Sequence, residues 1–151
     1  MATRNTLHVE VVTAERELYN GEADMISVPG SEGRLGILPR HAPLLAFLAP
    51  GALQISLRGE EEAIFVSGGF TEVSNNMVTV LADTAENAEE IDQARAEAAR
   101  RRAQERLAQE VSDTERAEIQ AALERAVSRL KVAEIARRRG RPRRELPTLE
   151  Q

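Results

Sequence analysis

The residues best suited to chemistry are arginines in the second half of this chain. Arg95 and Arg102 are seven residues apart, so they share one face of a helix, and Asp92 precedes Arg95 by three residues on that face. Arg125 and Arg129 are four residues apart and would be neighbours on a second helix. Guanidinium groups that converge repel one another unless an anion lies between them. The pattern indicates either a polyphosphate-binding site or an ordinary charged helix surface.

Two helices must position these arginines. After residue 85 the apolar pattern changes from strand alternation to a helical repeat, and the first helix is predicted to begin near Asn87 or Ile91 and to end near Gln109. A Ser-Asp-Thr-Glu sequence predicts a capping box that opens the second helix near Asp113. A Gly-Arg-Pro sequence predicts that this helix ends before Gly140.

The short connection between the two helices predicts an antiparallel hairpin, in which residue i lies beside residue 222 − i, roughly. Arg95 then faces a position between Arg125 and Arg129, and Asp92 or Glu86 could accept a hydrogen bond from an adenine amino group. The apolar residues expected between the helices are Ile91, Ala94, Ala98, Leu107, Ile119, Leu123, Val127 and Leu130. Because burying alanine gains little free energy, the hairpin should be only a few kcal/mol more stable than its open form, roughly. A free-energy difference of this size is small enough for ligand binding to shift the equilibrium between the two conformations.

No arrangement of residues is typical of catalysis or of a metal site. The chain has no nucleophile elbow and no P-loop. It has no cysteine, and its two histidines, His8 and His41, lie far apart in the sequence. No apolar run reaches the ~20 residues of a membrane span, and the first residues do not form a signal peptide. We therefore expect a soluble, non-catalytic protein that requires no metal.

Charge and composition divide the chain into modules. Residues 1–85 carry five basic and eleven acidic side chains, a balance of −6, whereas residues 86–151 carry fifteen basic and fourteen acidic ones, a balance of +1. Such a shift indicates two modules with different roles. We predict an α+β chain with an N-terminal β-sandwich or flattened barrel at 1–85. A C-terminal antiparallel two-helix hairpin at 86–139 and a disordered tail at 140–151 complete the prediction.

A stretch rich in glycine and proline, residues 28–45, organises the first module. It is not a nucleotide-phosphate loop, because no Gly-Lys-Ser/Thr sequence ends it and no helical pattern follows. Its glycines and prolines instead indicate turns between short strands. Similar alternating segments on both sides predict a sandwich or barrel, with residues 59–62 at an exposed hairpin tip. The predicted core consists of Leu7, Val9, Val11, Ile26, Val28, Ile37, Leu45, Leu53, Ile55, Leu57, Ile64, Val66, Val78 and Val80.

Several segments together resemble one family. Residues 30–45 read Gly-Ser-Glu-Gly-x-Leu-Gly-Ile-x-Pro-x-His-Ala-Pro-Leu-Leu, which is similar to the N-terminal domain of the epsilon subunit of the rotary F-type ATP synthase. Val-Ser-Gly-Gly-Phe-Thr-Glu-Val at 66–73 and Val-Thr-Val-Leu-Ala-Asp at 78–83 match that family too. Ile-Asp-Gln-Ala-Arg-Ala at 91–96 begins the long helical region. The matches occur in the family's order.

The resemblance implies a nucleotide site. In epsilon subunits that bind ATP, an Ile-Asp-x-x-Arg-Ala motif on the first helix and two arginines on the second form that site. The corresponding residues of this chain are Glu86, Ile91, Asp92, Arg95, Arg102, Arg125 and Arg129. ATP would then be a regulatory ligand of the folded hairpin rather than a substrate.

The resemblance also implies partners. The sandwich would bind the gamma subunit and rest on the c-subunit ring, helping to couple rotation to proton or sodium flow at the cytoplasmic face of the bacterial plasma membrane. Arg34 and His41 would lie in loops that face the ring, although Arg34 stands where an acidic residue is common in the family. An extended hairpin would enter the alpha/beta catalytic hexamer and inhibit ATP hydrolysis. The cations expected to contact the hexamer are Arg116, Arg125, Arg129 and Lys131.

Residues 137–144 contain six arginines and leave other functions open. Such a run can bind nucleic acid, but no aromatic residue is interleaved with the arginines and the sequence pI is about 5.2. A two-helix adaptor without a ligand is a further alternative. Retention on heparin that falls steeply with salt would favour nucleic-acid binding, whereas co-purification with membrane ATPase subunits would exclude both alternatives.

Overall fold

The computed structural model describes residues 5–139, so the tail predicted at residues 140–151 lies outside the described residues. The strands are β1 (Leu7–Val12), β2 (Glu17–Ala23), β3 (Met25–Gly30), β4 (Gly33–Ile37), β5 (Leu44–Leu48), β6 (Gly51–Leu57), β7 (Glu60–Val66), β8 (Gly69–Ser74), β9 (Met77–Ala82) and β10 (Ala85–Asn87). A single 3₁₀ turn, Ala88–Glu90, leads into the helices α1 (Gln93–Leu107) and α2 (Asp113–Arg139). The predicted α+β architecture is confirmed.

The strands form one sheet that folds over on itself as a sandwich. Their order is β10-β7-β6-β3-β5-β8-β9-β1-β2, and β4 pairs with β3 outside this path. The strand β3 joins the two halves, because its first residues pair with β6 while Gly30 pairs with Leu48 of β5. Most neighbouring strands are antiparallel, and β1 and β9 are parallel.

The apolar core fills the space between the two halves of the sheet. All but two of the predicted core residues are buried there. The prediction for Leu45 was wrong, since its side chain is 64% exposed while Leu44 packs against the core. Successive side chains of a strand point to opposite faces of the sheet. A one-residue error in assigning the faces of β5 therefore places an exposed side chain in the predicted core. Leu57 is also only partly buried, at the end of β6.

Two further features of the sheet differ from the prediction. The β6–β7 turn consists of Arg58 and Gly59, both with positive φ, which is the geometry of a two-residue hairpin. The three glutamates expected at its tip are exposed residues at the start of β7. The strand β10 was not predicted, and it spans the expected module boundary between residues 85 and 86.

The helical hairpin begins later than predicted but is capped as expected. The α1 helix starts at Gln93, because the 3₁₀ turn occupies the preceding residues and the Asp92 carboxylate caps the helix. The predicted capping box opens α2: the Ser112 N–H donates to Glu115 Oε2 at 3.1 Å, and the Glu115 N–H donates to Ser112 Oγ at 3.2 Å. Residues 108–112 connect the two helices.

The buried face of the hairpin is shifted from the prediction. The fully buried residues along it are Ala96, Ala103, Ile119 and Ala126. Their equal spacing on the two helices agrees with the predicted register, since Ala96 would oppose Ala126 and Ala103 would oppose Ile119. The predictions for Ala94 and Val127 were wrong, since both are exposed.

The α2 helix also packs on the outside of β6 and β7. A second apolar cluster joins the sandwich to the hairpin and contains Ala52, Ala63, Phe65, Ile91, Val132 and Ala133. Phe65 is fully buried in this cluster, whereas its neighbours Ile64 and Val66 face the core. The sheet is therefore covered on both sides where the hairpin docks, and this contact places Arg129 of α2 beside β10.

Candidate functional site

The strand β10 places Glu86 on the surface that α2 covers. Ala85, Glu86 and Asn87 pair with Val66, Phe65 and Ile64 of β7. Directly opposed residues of an antiparallel pair share a face of the sheet. Glu86 and Phe65 therefore lie side by side under α2.

Arg129 of α2 contacts both of these residues. Its Nε donates to Glu86 Oε1 at 3.0 Å, and its Cζ lies 4.7 Å from the centroid of the Phe65 ring. The guanidinium thus makes a charge-assisted hydrogen bond and a cation–π contact. The side chains of Arg129 and Glu86 are 31% and 30% exposed, so water still reaches the ion pair. In this conformation the charge of Arg129 is compensated by the carboxylate of Glu86 rather than by that of Asp92.

Arg125 lies one turn before Arg129. Arg125, Arg129 and Val132 recur at the spacing of one helix face, and Val132 is fully buried against the sandwich. On the same part of α2, Ser128 Oγ donates to Pro50 O at 3.4 Å. Arg125 is partly buried, and its guanidinium has no hydrogen-bond or ion-pair partner among residues 5–139. Arg125 is therefore a cation on the helix face that docks on the sandwich.

The predicted residues at the start of α1 divide into structural and exposed ones. Ile91 is buried in the apolar cluster under α2. Asp92 Oδ1 accepts a hydrogen bond from the Arg95 N–H at 3.0 Å, which satisfies an otherwise unpaired helix donor. The side chains of Arg95 and Arg102 are exposed. The structure thus brings Glu86, Ile91 and Arg129 to one junction, while Asp92 serves its own helix.

Arg16 is a residue of this region that the sequence analysis missed. It ends the β1–β2 turn, and its guanidinium reaches the 3₁₀ turn, where Nη1 and Nη2 donate to the two oxygens of Glu90 at 2.6 and 2.7 Å. Nη2 also donates to Ala85 O at 3.1 Å. The hydrogen bond from Arg16, with one from the Asn87 N–H at 2.9 Å, lowers the pKa of Glu90 to about 2. The contacts join residues 69 and 74 positions apart, so no local pattern could have revealed them.

Arg34 and His41, the predicted ring contacts, lie within β4 and in the segment that follows it. Arg34 is its second residue, and its Nη2 donates to Ala52 O at 2.6 Å. Burial lowers the pKa of the Arg34 guanidinium. His41 follows the strand, and its Nδ1 lies 2.7 Å from Ala42 O.

The other two cations predicted to contact the hexamer, Arg116 and Lys131, lie at the surface. Arg116 Nη1 lies 3.5 Å from Leu107 O and so bridges the start of α2 to the end of α1. Lys131 is exposed on α2. Arg138 pairs with Glu134 one turn earlier at 2.6 Å.

The outer face of the sandwich carries an apolar row that the sequence analysis also missed. Phe47 of β5 opposes Phe70, Phe70 opposes Leu81, and Leu81 pairs in register with Val12. Phe47 is 70% exposed and Leu81 is 40% exposed. We call these four residues the outer apolar row. The adjacent row carries Glu72 and Glu10, so acidic groups flank it. An exposed apolar patch of this kind is typical of an interaction surface.

A β-sandwich that carries a docked helical hairpin, with arginines at their junction and an apolar row on its outer face, defines a two-module binding protein. Two family models match consecutive parts of the chain. The ATP synthase, Delta/Epsilon chain, beta-sandwich domain matches residues 6–88, and the ATP synthase, Delta/Epsilon chain, long alpha-helix domain matches residues 89–134. The chain belongs to the delta/epsilon chain family of the ATP synthase, which confirms the resemblance seen in the sequence.

Individual relatives agree with this assignment. The ATP synthase epsilon chain of Laribacter hongkongensis is 46% identical over 137 residues, which cover 89% of this chain and 98% of the relative. That of Herpetosiphon aurantiacus is 49% identical over 133 residues, covering 88% and 98%. A chain from the Euglena gracilis mitochondrial ATP synthase structure has a TM-score of 0.75 at 24% identity, covering 90% of this chain and 84% of that one, and supports the fold. Neither helix of the described residues is long and apolar enough to cross a membrane.

Proposed function

We propose that this chain is a non-catalytic central-stalk subunit of a bacterial F-type ATP synthase, which helps couple rotation to ion flow and regulates ATP hydrolysis through its hairpin. Its curated relatives are named ATP synthase epsilon chain. Structures with its fold come from assemblies whose titles include F1, the central stalk and the c-ring. In this proposal the sandwich contacts the gamma subunit and the c ring. The subunit reaches the cytoplasmic face of the membrane through the complex.

The outer apolar row is the surface proposed to dock on gamma. Burying a side chain such as Phe47 contributes about 1.5–3 kcal/mol, so Phe47→Ser should weaken binding to purified gamma by about tenfold or more. Val127→Ser is the matched control, because Val127 is also an exposed apolar side chain, 45% exposed, but lies on α2. Equal affinity of the two variants would place the gamma contact elsewhere.

The hairpin is proposed to bind ATP at its junction with the sandwich. The observation that carries this proposal is the position of Arg125, a partly buried cation without a partner in the described residues, one turn from Arg129 on the same face of α2. The triphosphate would lie along Arg125 and Arg129, with Arg95 and Arg102 adding charge from α1. Since Arg129 already bonds to Glu86, the phosphates would replace that carboxylate. Glu86 would then be released to accept a hydrogen bond from the adenine amino group.

The same arginines give the hairpin its proposed inhibitory role. In an extended conformation α2 would leave the sandwich and present Arg116, Arg125, Arg129 and Lys131 to the alpha/beta hexamer. Arg125 and Arg129 cannot hold ATP and grip the hexamer at the same time. ATP binding and inhibition would therefore oppose each other by reciprocal linkage.

Isothermal titration calorimetry of the isolated subunit with ATP tests the nucleotide proposal. The wild-type chain should bind ATP without added Mg²⁺, and Arg125→Ala should abolish the binding heat at the same concentrations. Arg106→Ala is the control, since it removes an exposed arginine from the last turn of α1. Unchanged binding by Arg125→Ala, or an equal loss in both variants, would refute a specific site at the junction.

A further inference from the structure

The segment 85–91 carries two of the seven proposed nucleotide residues, Glu86 and Ile91, and leads into a third, Asp92. It has little regular structure, since it consists of a three-residue strand and a single 3₁₀ turn. The strand β10 lies at the end of the sheet order and pairs with β7. Short edge segments of this kind open locally at low free-energy cost. A nucleotide site built on them needs a further restraint.

Arg16 provides a restraint at both ends of this segment. Its guanidinium bonds to the Ala85 carbonyl immediately before Glu86, and to the Glu90 carboxylate immediately before Ile91. The Glu90 carboxylate also accepts a hydrogen bond from the Asn87 N–H, which holds the 3₁₀ turn itself. The fork geometry of arginine allows the three donated hydrogen bonds to form together.

Arg16 is itself held in a tight turn. The Thr13 N–H donates to Arg16 O at 2.9 Å, and Thr13 Oγ1 accepts from the N–H groups of Glu15 and Arg16, each at 3.2 Å. The backbone of Arg16 is thus fixed by the β1–β2 turn of the sandwich. The hydrogen bonds of the Arg16 side chain then hold the segment 85–91 in place relative to this turn.

We propose that Arg16 is a positioning residue for the nucleotide site, acting through Glu90 and the Ala85 carbonyl to hold Glu86, Ile91 and Asp92 where ATP requires them. This role rests on the proposed ATP binding. Arg16 does not touch the nucleotide. It raises the fraction of molecules whose segment is already in the binding conformation, and the apparent Kd varies inversely with that fraction.

Removing the ion pair should therefore weaken ATP binding moderately. Loss of an exposed ion pair of this kind changes an equilibrium constant by about two- to fivefold. Arg16→Met and Glu90→Gln should each raise the Kd for ATP by about this factor, and the double variant should raise it no further than Arg16→Met alone, because both changes remove the Arg16–Glu90 ion pair. The exchanged pair, Arg16→Glu with Glu90→Arg, should recover part of the affinity. Arg58→Met, in the β6–β7 turn, should leave the Kd unchanged.

The experiment is a calorimetric ATP titration of these variants in the full-length chain, with a melting curve for each to verify folding. A non-additive loss together with partial recovery in the exchanged pair supports positioning when the melting temperatures of the variants match that of the wild type, since a merely destabilised chain would show a lowered melting temperature. If the wild-type chain binds ATP and Arg16→Met binds it equally well, the positioning role is overturned while the nucleotide site stands. If the wild-type chain does not bind ATP, the proposed function and the positioning role fail together.

Discussion

Arg129→Ala should loosen the docked hairpin even without a nucleotide, whereas Arg125→Ala should not. The two arginines are one turn apart on the same helix face, but only Arg129 has an ion-pair partner and a ring contact in the described residues. Truncating Arg129 removes the bond to Glu86 and the contact with Phe65. Truncating Arg125 removes a cation whose side chain makes no such bond.

The size of the difference follows from these two contacts. An ion pair with side chains 31% and 30% exposed is still partly solvated, and such a pair contributes about 0.2–1 kcal/mol. A cation–π contact contributes about 0.5–1 kcal/mol when exposed and up to about 2 kcal/mol when desolvated. Arg129→Ala should therefore destabilise the docked hairpin by about 1–2 kcal/mol. That corresponds to a five- to thirtyfold change in the docking equilibrium, roughly.

Native-state amide hydrogen exchange reports this equilibrium, because an undocked α2 loses the tertiary packing that stabilises it and its amide hydrogen bonds then open more often. In Arg129→Ala, the α2 amides nearest the sandwich should exchange about five- to thirtyfold faster, while the amides of β1 and β9 keep their protection. In Arg125→Ala, exchange without ATP should match the wild type. Saturating ATP should slow exchange of α2 in the wild-type chain and in neither variant. Equal protection of α2 in all three chains without ATP would refute the energetic role assigned to Arg129.

Three further outcomes are expected. A chain cut after Asn87, which retains β10, should give a soluble β protein by circular dichroism, because the sandwich core is complete there; an unfolded product would contradict the two-module division. ATP synthase reconstituted with that truncated chain should hydrolyse ATP faster at low ATP than with the intact chain, and equal rates would exclude inhibition by the hairpin. Since the pKa of Glu90 is lowered from 4.5 to about 2, its tether to Arg16 should be fully present above pH 4.5 and lost as pH falls towards 2; amide exchange at the 3₁₀ turn should report this loss, and pH-independent protection would contradict it.

The candidate site was predictable in its charged residues but not in their partners. Helical spacing places Arg125 and Arg129 on one face of α2 without any tertiary information. The finding that Arg129 binds Glu86 depends on β10 bringing residues 43 positions apart into contact. The same applies to Arg16 and Glu90, which are 74 positions apart. Charge type can be read from the sequence, whereas pairing requires the tertiary positions of both charges.

The sequence by itself determined the elements whose signals are local. Alternation specifies strands such as β1, and the Ser112 and Glu115 capping box specifies the start of α2, because each signal depends on neighbours within one strand or one helical turn. Only the tertiary structure decided which face of an ambiguous strand or helix is buried, and which strands and charged residues contact each other. An apolar run such as that of β5 is compatible with either parity, and the core alone selects Leu44 over Leu45. An alanine-rich helix likewise has several weakly apolar faces, so α1 buries Ala96 rather than Ala94 through packing against α2. These choices rest on contacts between residues distant in sequence, whose free energies no local pattern contains.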